Sequence, residues 1–163
     1  MSKEKEIQKT RVNDMTDDAD VLLKIVEDQL INARNTELQR ATITNFVIVI
    51  SAAIIGFFAT KGVNQNSLPL AIFLVLLGVY GAIFCLKLYE RWHLNVKLAK
   101  RWRDRIAELH PEARIDELRG EAIKEHEREY PILHKIRVHH LWIIFNILIA
   151  IIGLFYIYLI KKG

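Results

Sequence analysis

All six histidines of the chain, His93, His110, His126, His134, His139 and His140, fall in one stretch that is also rich in arginine. Imidazoles in such numbers raise metal binding first, since His is the commonest neutral metal ligand. The spacing argues against it: no HExxH occurs, no cysteine accompanies them, and the adjacent His139 and His140 project from different sides of any helix. A second chemistry, cleavage of a phosphodiester, needs an Arg to steady a phosphate and a His to move a proton. Arg103 or Arg105 with His110, and Arg128 with His134, have that separation. A segment so dense in Arg and His produces it by chance, and the plainer reading is a solvated basic face, Arg101, Arg103, Arg105 and His110, beside anionic headgroups. The third chemistry is that of two amides in apolar surroundings, Asn45 and Asn146. An amide in hydrocarbon is costly without a partner, so each must bond to another helix, pair with the other, or line a polar passage.

The elements that carry these groups are set by the distribution of charge. Of 163 residues, 52% are hydrophobic and 26% charged, a pair of values that one water-soluble core does not accommodate. The two populations are segregated. Ala41 to Thr60, Gly62 to Leu86 and Leu141 to Ile160 carry no charge, and each is long enough to cross a bilayer. The expected fold class is therefore all-α: an integral membrane protein with three transmembrane helices and a small cytoplasmic helical bundle. The expected organisation is a cytoplasmic N-terminal helix over residues 1–40, spans over 41–60, 69–86 and 141–160, an external loop over 61–68, a cytoplasmic basic helical region over 87–140 and an external tail over 161–163. Bases cluster before the first span and between Lys87 and Arg137, so positive-inside counting places the N-terminus in the cytoplasm and the C-terminus outside. No short apolar h-region opens the sequence, and secretion is not expected. Cys85 is the sole cysteine, which excludes an intrachain disulfide; its apolar setting suits a small membrane-facing side chain. The net charge of +4 fits orientation in a membrane better than nucleic-acid binding.

Before the first span, Thr16 followed by Asp17 and Asp18 has the form of a helix start, with acids at the positive end of the dipole. Leu23, Val26, Leu30 and Ala33 then form one apolar stripe. Without Gly or Pro from Asp18 to Ile55, the pattern predicts a single helix that enters the membrane unbroken, about 60 Å long at the helical rise. In span one, Thr42, Asn45, Val49, Ala52, Gly56 and Ala59 share a side whose small and polar residues predict close helix contact. Gly78 and Ala82 form a small-xxx-small pair in span two. This helix is expected to continue into the cytoplasm with Leu88, Trp92, Ala99, Trp102, Ile106 and Leu109 in register, ending at Pro111. A further helix follows with Ile115, Leu118, Ala122 and His126 on its buried side. Asn45 and Asn146 lie about one turn inside the same boundary, 6 to 8 Å by the helical rise, where they could meet.

The order of cytoplasmic helix, membrane hairpin, basic extension, short helix and last span resembles the RipA family of small bacterial inner-membrane proteins, described as octameric. The segment from Arg91 to Trp102 is similar to that family's Leu-Asn-x-x-Lys region through Leu94, Asn95 and Lys97. The segment from Glu129 to Trp142 resembles its aromatic, Pro and His stretch before the last span. The layout more loosely resembles SLATT proteins and the membrane accessory of type VI-B CRISPR systems, which implies membrane permeabilisation in phage defence.

These readings converge on a homo-oligomer of the bacterial inner membrane that is no enzyme and uses no metal or cofactor. Membrane lipid and further copies of the chain are the expected partners, with a cytoplasmic protein as an additional one. The expected function is a pore-forming or membrane-perturbing effector in host defence or stress response. Its pore or helix-contact residues would be Thr42, Asn45, Ala52, Gly56 and Asn146. The alternatives are a non-pore scaffold that recruits a soluble partner to Arg101, Arg103, Arg105 and His110, and, less favoured, a membrane-anchored HEPN-like ribonuclease.

Overall fold

The computed structural model describes residues 18–135 and 137–162, and every element among them is helical. Four helices, α1 (Ser2–Lys61), α2 (Leu68–Leu109), α3 (Ile115–Glu129) and α4 (Val138–Lys162), are joined through short 3-10 turns. The helix start expected at Thr16 lies outside the described residues. Three helices, α1, α2 and α4, are long and apolar enough to cross a membrane. Only 28%, 33% and 28% of their most apolar windows is buried, so most of that surface faces outward, including Phe46, Val49, Leu76, Ile83 and Leu154. Apolar surface on this scale is suited to lipid rather than to water.

The chain forms two compact units. One unit holds Asn35–Arg91 and Arg137–Gly163, that is, the apolar parts of α1 and α2 together with α4. Its core is built from Val47, Ile54, Phe58, Ala71, Leu74, Ile149 and Ile160. The buried positions follow an alternation of three and four: Thr44, Val47, Ser51, Ile54 and Phe58 on α1, and Ala71, Leu74, Gly78, Gly81, Cys85 and Leu88 on α2. This period keeps one seam facing its neighbours along a helix pair. Small residues let two of these helices approach closely. A Cβ added at Gly78 would sit 2.5 Å from the Ala150 amide nitrogen and 2.7 Å from the Asn146 carbonyl oxygen, and one at Gly153 would sit 2.8 Å from the Val75 nitrogen. The α2–α4 contact is thus backbone against backbone, as in close-packed membrane helix pairs.

The connection from α1 to α2 is fixed at the same end of this unit. Gly62 turns the chain out of α1 with φ 76° while its amide donates to the Phe58 carbonyl at 3.0 Å, a left-handed helix stop for which glycine is the low-cost residue. Ser67 Oγ donates to Asn64 Oδ1 at 3.1 Å, and Pro69 occupies the first turn of α2, where its missing N–H costs nothing. Gln65 Nε2 donates to the Ile160 carbonyl at 2.9 Å. The turn therefore satisfies one of the carbonyls left open at the end of α4. Phe58 packs on Tyr156 with ring centroids 4.2 Å apart.

The other unit holds Met1–Arg34 and Trp92–Ile136. Its core is small: Val26, Ala99 and Ile106, with Leu22 and Ile115 packed against them. The stripe on this part of α1 differs in phase from the expected one. Ala19, Val26 and Ala33 are buried, whereas Leu23 and Leu30 are exposed. Val26 and Ala33 of the expected stripe are thus buried, and the inward side continues through Ala19 and Leu22, which packs against the core, rather than through Leu23 and Leu30. On α2, Ala99 and Ile106 are buried as expected and Trp102 is exposed. α3 contains no buried residue. Only Ile115 of its expected inner face reaches the core; Leu118, Ala122 and His126 are exposed, because a single short helix at the edge of so small a core has little to pack on.

Candidate functional site

The polar residues of the apolar unit divide into an inner and an outer set. The inner set lies between the helices. Asn146 on α4 is fully buried, and its Nδ2 donates to the Trp142 carbonyl at 2.8 Å and faces Cys85 Sγ at 3.7 Å. Cys85 is itself buried, 3.8 Å from Thr44 Oγ1, which also donates to the Arg40 carbonyl at 2.9 Å. Thr44, Cys85 and Asn146 thus bring one polar atom each from α1, α2 and α4 to one point in an otherwise apolar core. Asn146 Oδ1 has no hydrogen-bond partner and lies over Gly81, where an added Cβ would come within 2.0 Å of it. A side chain at this position would have to displace the Asn146 amide, whose Oδ1 and Cγ are the atoms nearest the added Cβ.

The outer set is on α1. Thr42, Asn45, Ala52 and Gly56 are all exposed, as are Val49 and Ala59 beside them. Thr42 Oγ1 is satisfied by its own helix through the Leu38 carbonyl at 2.9 Å. Nothing lies within 4 Å of a Cβ placed on Gly56. Within one chain this side of α1 makes no close helix contact; the close contacts are those of Gly78, Gly81 and Gly153. Asn45 and Asn146, equal in depth by sequence, are not brought together, since one faces outward from α1 and the other inward from α4. Cys85 likewise faces the core rather than the membrane.

Gly81, Thr44 and Ser51 were missed by sequence reasoning. Their signal was the alternation of three and four residues itself, which runs through Gly78, Gly81 and Cys85 and needs no hydrophobic residue to be recognised. Ser51 Oγ is buried without a partner.

At the end of this unit nearest the charged segments, His139 stacks on Tyr89 with centroids 3.7 Å apart and planes at 15°, and it meets the ring of His140 at 4.0 Å. The stack anchors the first turn of α4 to α2. In the other unit the candidate ribonuclease residues have local partners. Arg105 bonds Glu108 at 2.6 Å, His110 Nδ1 faces Glu112 at 3.1 Å and His134 Nδ1 faces the Tyr130 carbonyl at 2.8 Å. No hydrogen bond joins an Arg to a His at the spacings noted in the sequence. Arg101 and Arg105 are exposed, and Arg103 is half-buried with its Nε unpaired. Hydrogen bonding to His110 and its own backbone holds the Glu112 carboxyl below its ordinary value, the backbone bond being the larger cause. The bond to Arg114 does the same for Glu117. Among the described residues no three His, Cys, Asp or Glu side chains are grouped to hold a metal ion.

No family model, no curated protein and no solved structure matches the chain.

Proposed function

We propose that the chain is a homo-oligomeric, three-span protein of the bacterial inner membrane that acts as a pore-forming or membrane-perturbing effector in phage defence or stress response. Its N-terminus and basic helical region lie in the cytoplasm and its C-terminus outside, and it works without catalysis or cofactor. The observation that carries this reading is Asn45. It is exposed on α1, one turn from Ala41 in a charge-free run, on the side opposite the seam of the chain's own bundle. An amide facing hydrocarbon lacks the hydrogen bonds that water would give it. Another copy of α1, or a water-filled passage walled by several copies, supplies them. Thr42, Ala52 and Gly56 continue the same side with residues small enough for close approach. A wall of this kind is apolar with rings of Asn and Thr, and such a constriction closes by dewetting. The resemblances in layout to RipA-type and SLATT-type proteins point the same way.

The test is dye release and single-channel conductance from liposomes carrying the wild type or Asn45→Leu, with chain counting by mass photometry. Altered conductance with assembly intact supports the lining role. Loss of assembly makes Asn45 a contact between copies, and a wild type that releases nothing ends the pore reading.

The exposed Arg101 and Arg105 favour a second reading, a scaffold that recruits a soluble partner to the basic face of α2. Charge reversal at Arg101 and Arg103 would then abolish recruitment and leave permeability unchanged.

A further inference from the structure

The region between the last two spans is basic as a whole but not uniformly so. On α2 from Trp92 to Leu109 there are five bases against two acids, whereas α3 carries six acids against three bases. The opposite charges are arranged on matching patterns. Lys97, Arg101 and Arg105 recur every four residues along α2, and Glu121, Glu125 and Glu129 recur every four along α3; all six are exposed. Three groups at this spacing rise about 6 Å per step, so the two ladders match in pitch whichever way the helices run.

Within one chain the ladders do not meet. α2 turns Ala99 and Ile106 toward the small core, where Ile115 of α3 packs on them, and the ion pair between the two helices is the loose one of Arg119 with Asp104 at 3.8 Å. Among the described residues neither Lys97 nor Arg101 has an ion-pair partner, and none of the three glutamates has one. Arg105 holds only the exposed Glu108 three residues on, a contact of small worth that exchanges readily. Exposed apolar side chains flank both ladders, Leu94 beside the bases and Leu118 and Ile132 beside the acids.

We propose that the acidic ladder of α3 docks on the basic ladder of α2 in a second copy of this chain. The surface is heterologous, one helix of each copy meeting the other helix of the next. In a membrane all copies share one orientation, so repetition of such a contact runs around the membrane normal and forms a ring where the rotation between copies closes. The inference rests on the homo-oligomeric reading above and adds to it the contact that orders the copies. An unrelated acidic protein is the less favoured occupant, because the same chain carries acids at the required spacing.

The full chain in nanodiscs decides the matter through two variants, R101E/R105E and E121R/E125R. Each places like charge against like charge between identical copies, and the assembly constant measured by mass photometry is expected to fall ~10-fold or more, with further weakening of the wild type in high salt. When the two variants are mixed, every α2–α3 contact between unlike copies is again of opposite sign, so assembly returns in the mixture. Restoration by mixing also shows that each variant is folded. If the variants assemble as the wild type does, or if the mixture stays dissociated while both retain wild-type helicity, the ladder contact is refuted and the α1 face is left to hold the oligomer. A wild type that is monomeric in lipid overturns the homo-oligomeric reading itself. Capture of an acidic soluble protein by wild type but not by R101E/R105E, with assembly unchanged, assigns the basic ladder to a different partner.

Discussion

Gly78→Ala is the smallest change that tests how the apolar unit is held together. The added methyl carbon would lie 2.5 Å from the Ala150 nitrogen, 2.7 Å from the Asn146 oxygen and 2.9 Å from Ala150 Cβ, whereas ordinary contact begins near 3.4 Å. Two of the three obstructing atoms belong to the backbone of α4, so no rotamer change relieves them. The helices must separate by about 1 Å, and a gap of that size forfeits a quarter to a half of the dispersion energy of each contact along the seam. Together with the strain, this amounts to about 1–3 kcal/mol of lost stability. Gly56→Ala is the control, because the space around that position is open and the substitution should change stability by less than ~0.5 kcal/mol. Reversible unfolding by SDS in mixed micelles, followed by far-UV circular dichroism, measures both. A difference of about 2 kcal/mol between the variants is roughly a 30-fold difference in the unfolding constant. Equal stability of Gly78→Ala and wild type would refute the backbone contact between α2 and α4.

The two asparagines should separate in the same assay: Asn146→Ala removes a fully buried side chain and its bond to Trp142 and is expected to cost ~1–2 kcal/mol, while Asn45→Ala should leave the unfolding of the single chain unchanged. Similar costs for both would contradict the inner and outer placement. The start of α3 should depend on acidity, because Glu112 and Glu117 are held below their ordinary value of 4.5 in the folded chain. A depressed carboxylate stabilises the fold above its unfolded pKa, and that stabilisation is lost as pH falls through the folded value. Protection of the α3 amides, taken relative to their intrinsic exchange rate at each pH, should therefore fall below about pH 4.5, and Glu117→Gln should flatten the response; protection insensitive to Glu117→Gln across that range would remove the Arg114–Glu117 contact as its origin.

The three apolar helices were legible because charge-free runs of twenty residues or more have few other uses. What the sequence concealed was which side of each helix turns inward. Leu23 and Leu30 dominate any hydrophobic stripe, yet Ala19, Val26 and Ala33 are buried and Leu22 packs on the core, since the inward side is set by where Ala99 and Ile106 of α2 lie and not by which side chains are largest. Asn45 and Asn146 illustrate the same limit within the candidate site. Their types and depths are alike, and only the pairing of α4 with Gly81 and Cys85 on α2 distinguishes the enclosed amide from the outward one. Composition alone also concealed the opposed charges of α2 and α3, because the net charge of the whole region averages the two helices.

Cys85, the one cysteine of the chain, is enclosed by Thr44 and Asn146 where α1, α2 and α4 converge. A maleimide or other thiol reagent can reach it only when these helices part, so its labelling rate is a clock for bundle opening that requires no engineered residue. In intact bundles the sulfur should label far more slowly than a surface thiol, and the ratio of the two rates gives the fraction of time spent open. Any stimulus that repacks the helices would register as a burst of labelling, whether or not solute crosses the membrane.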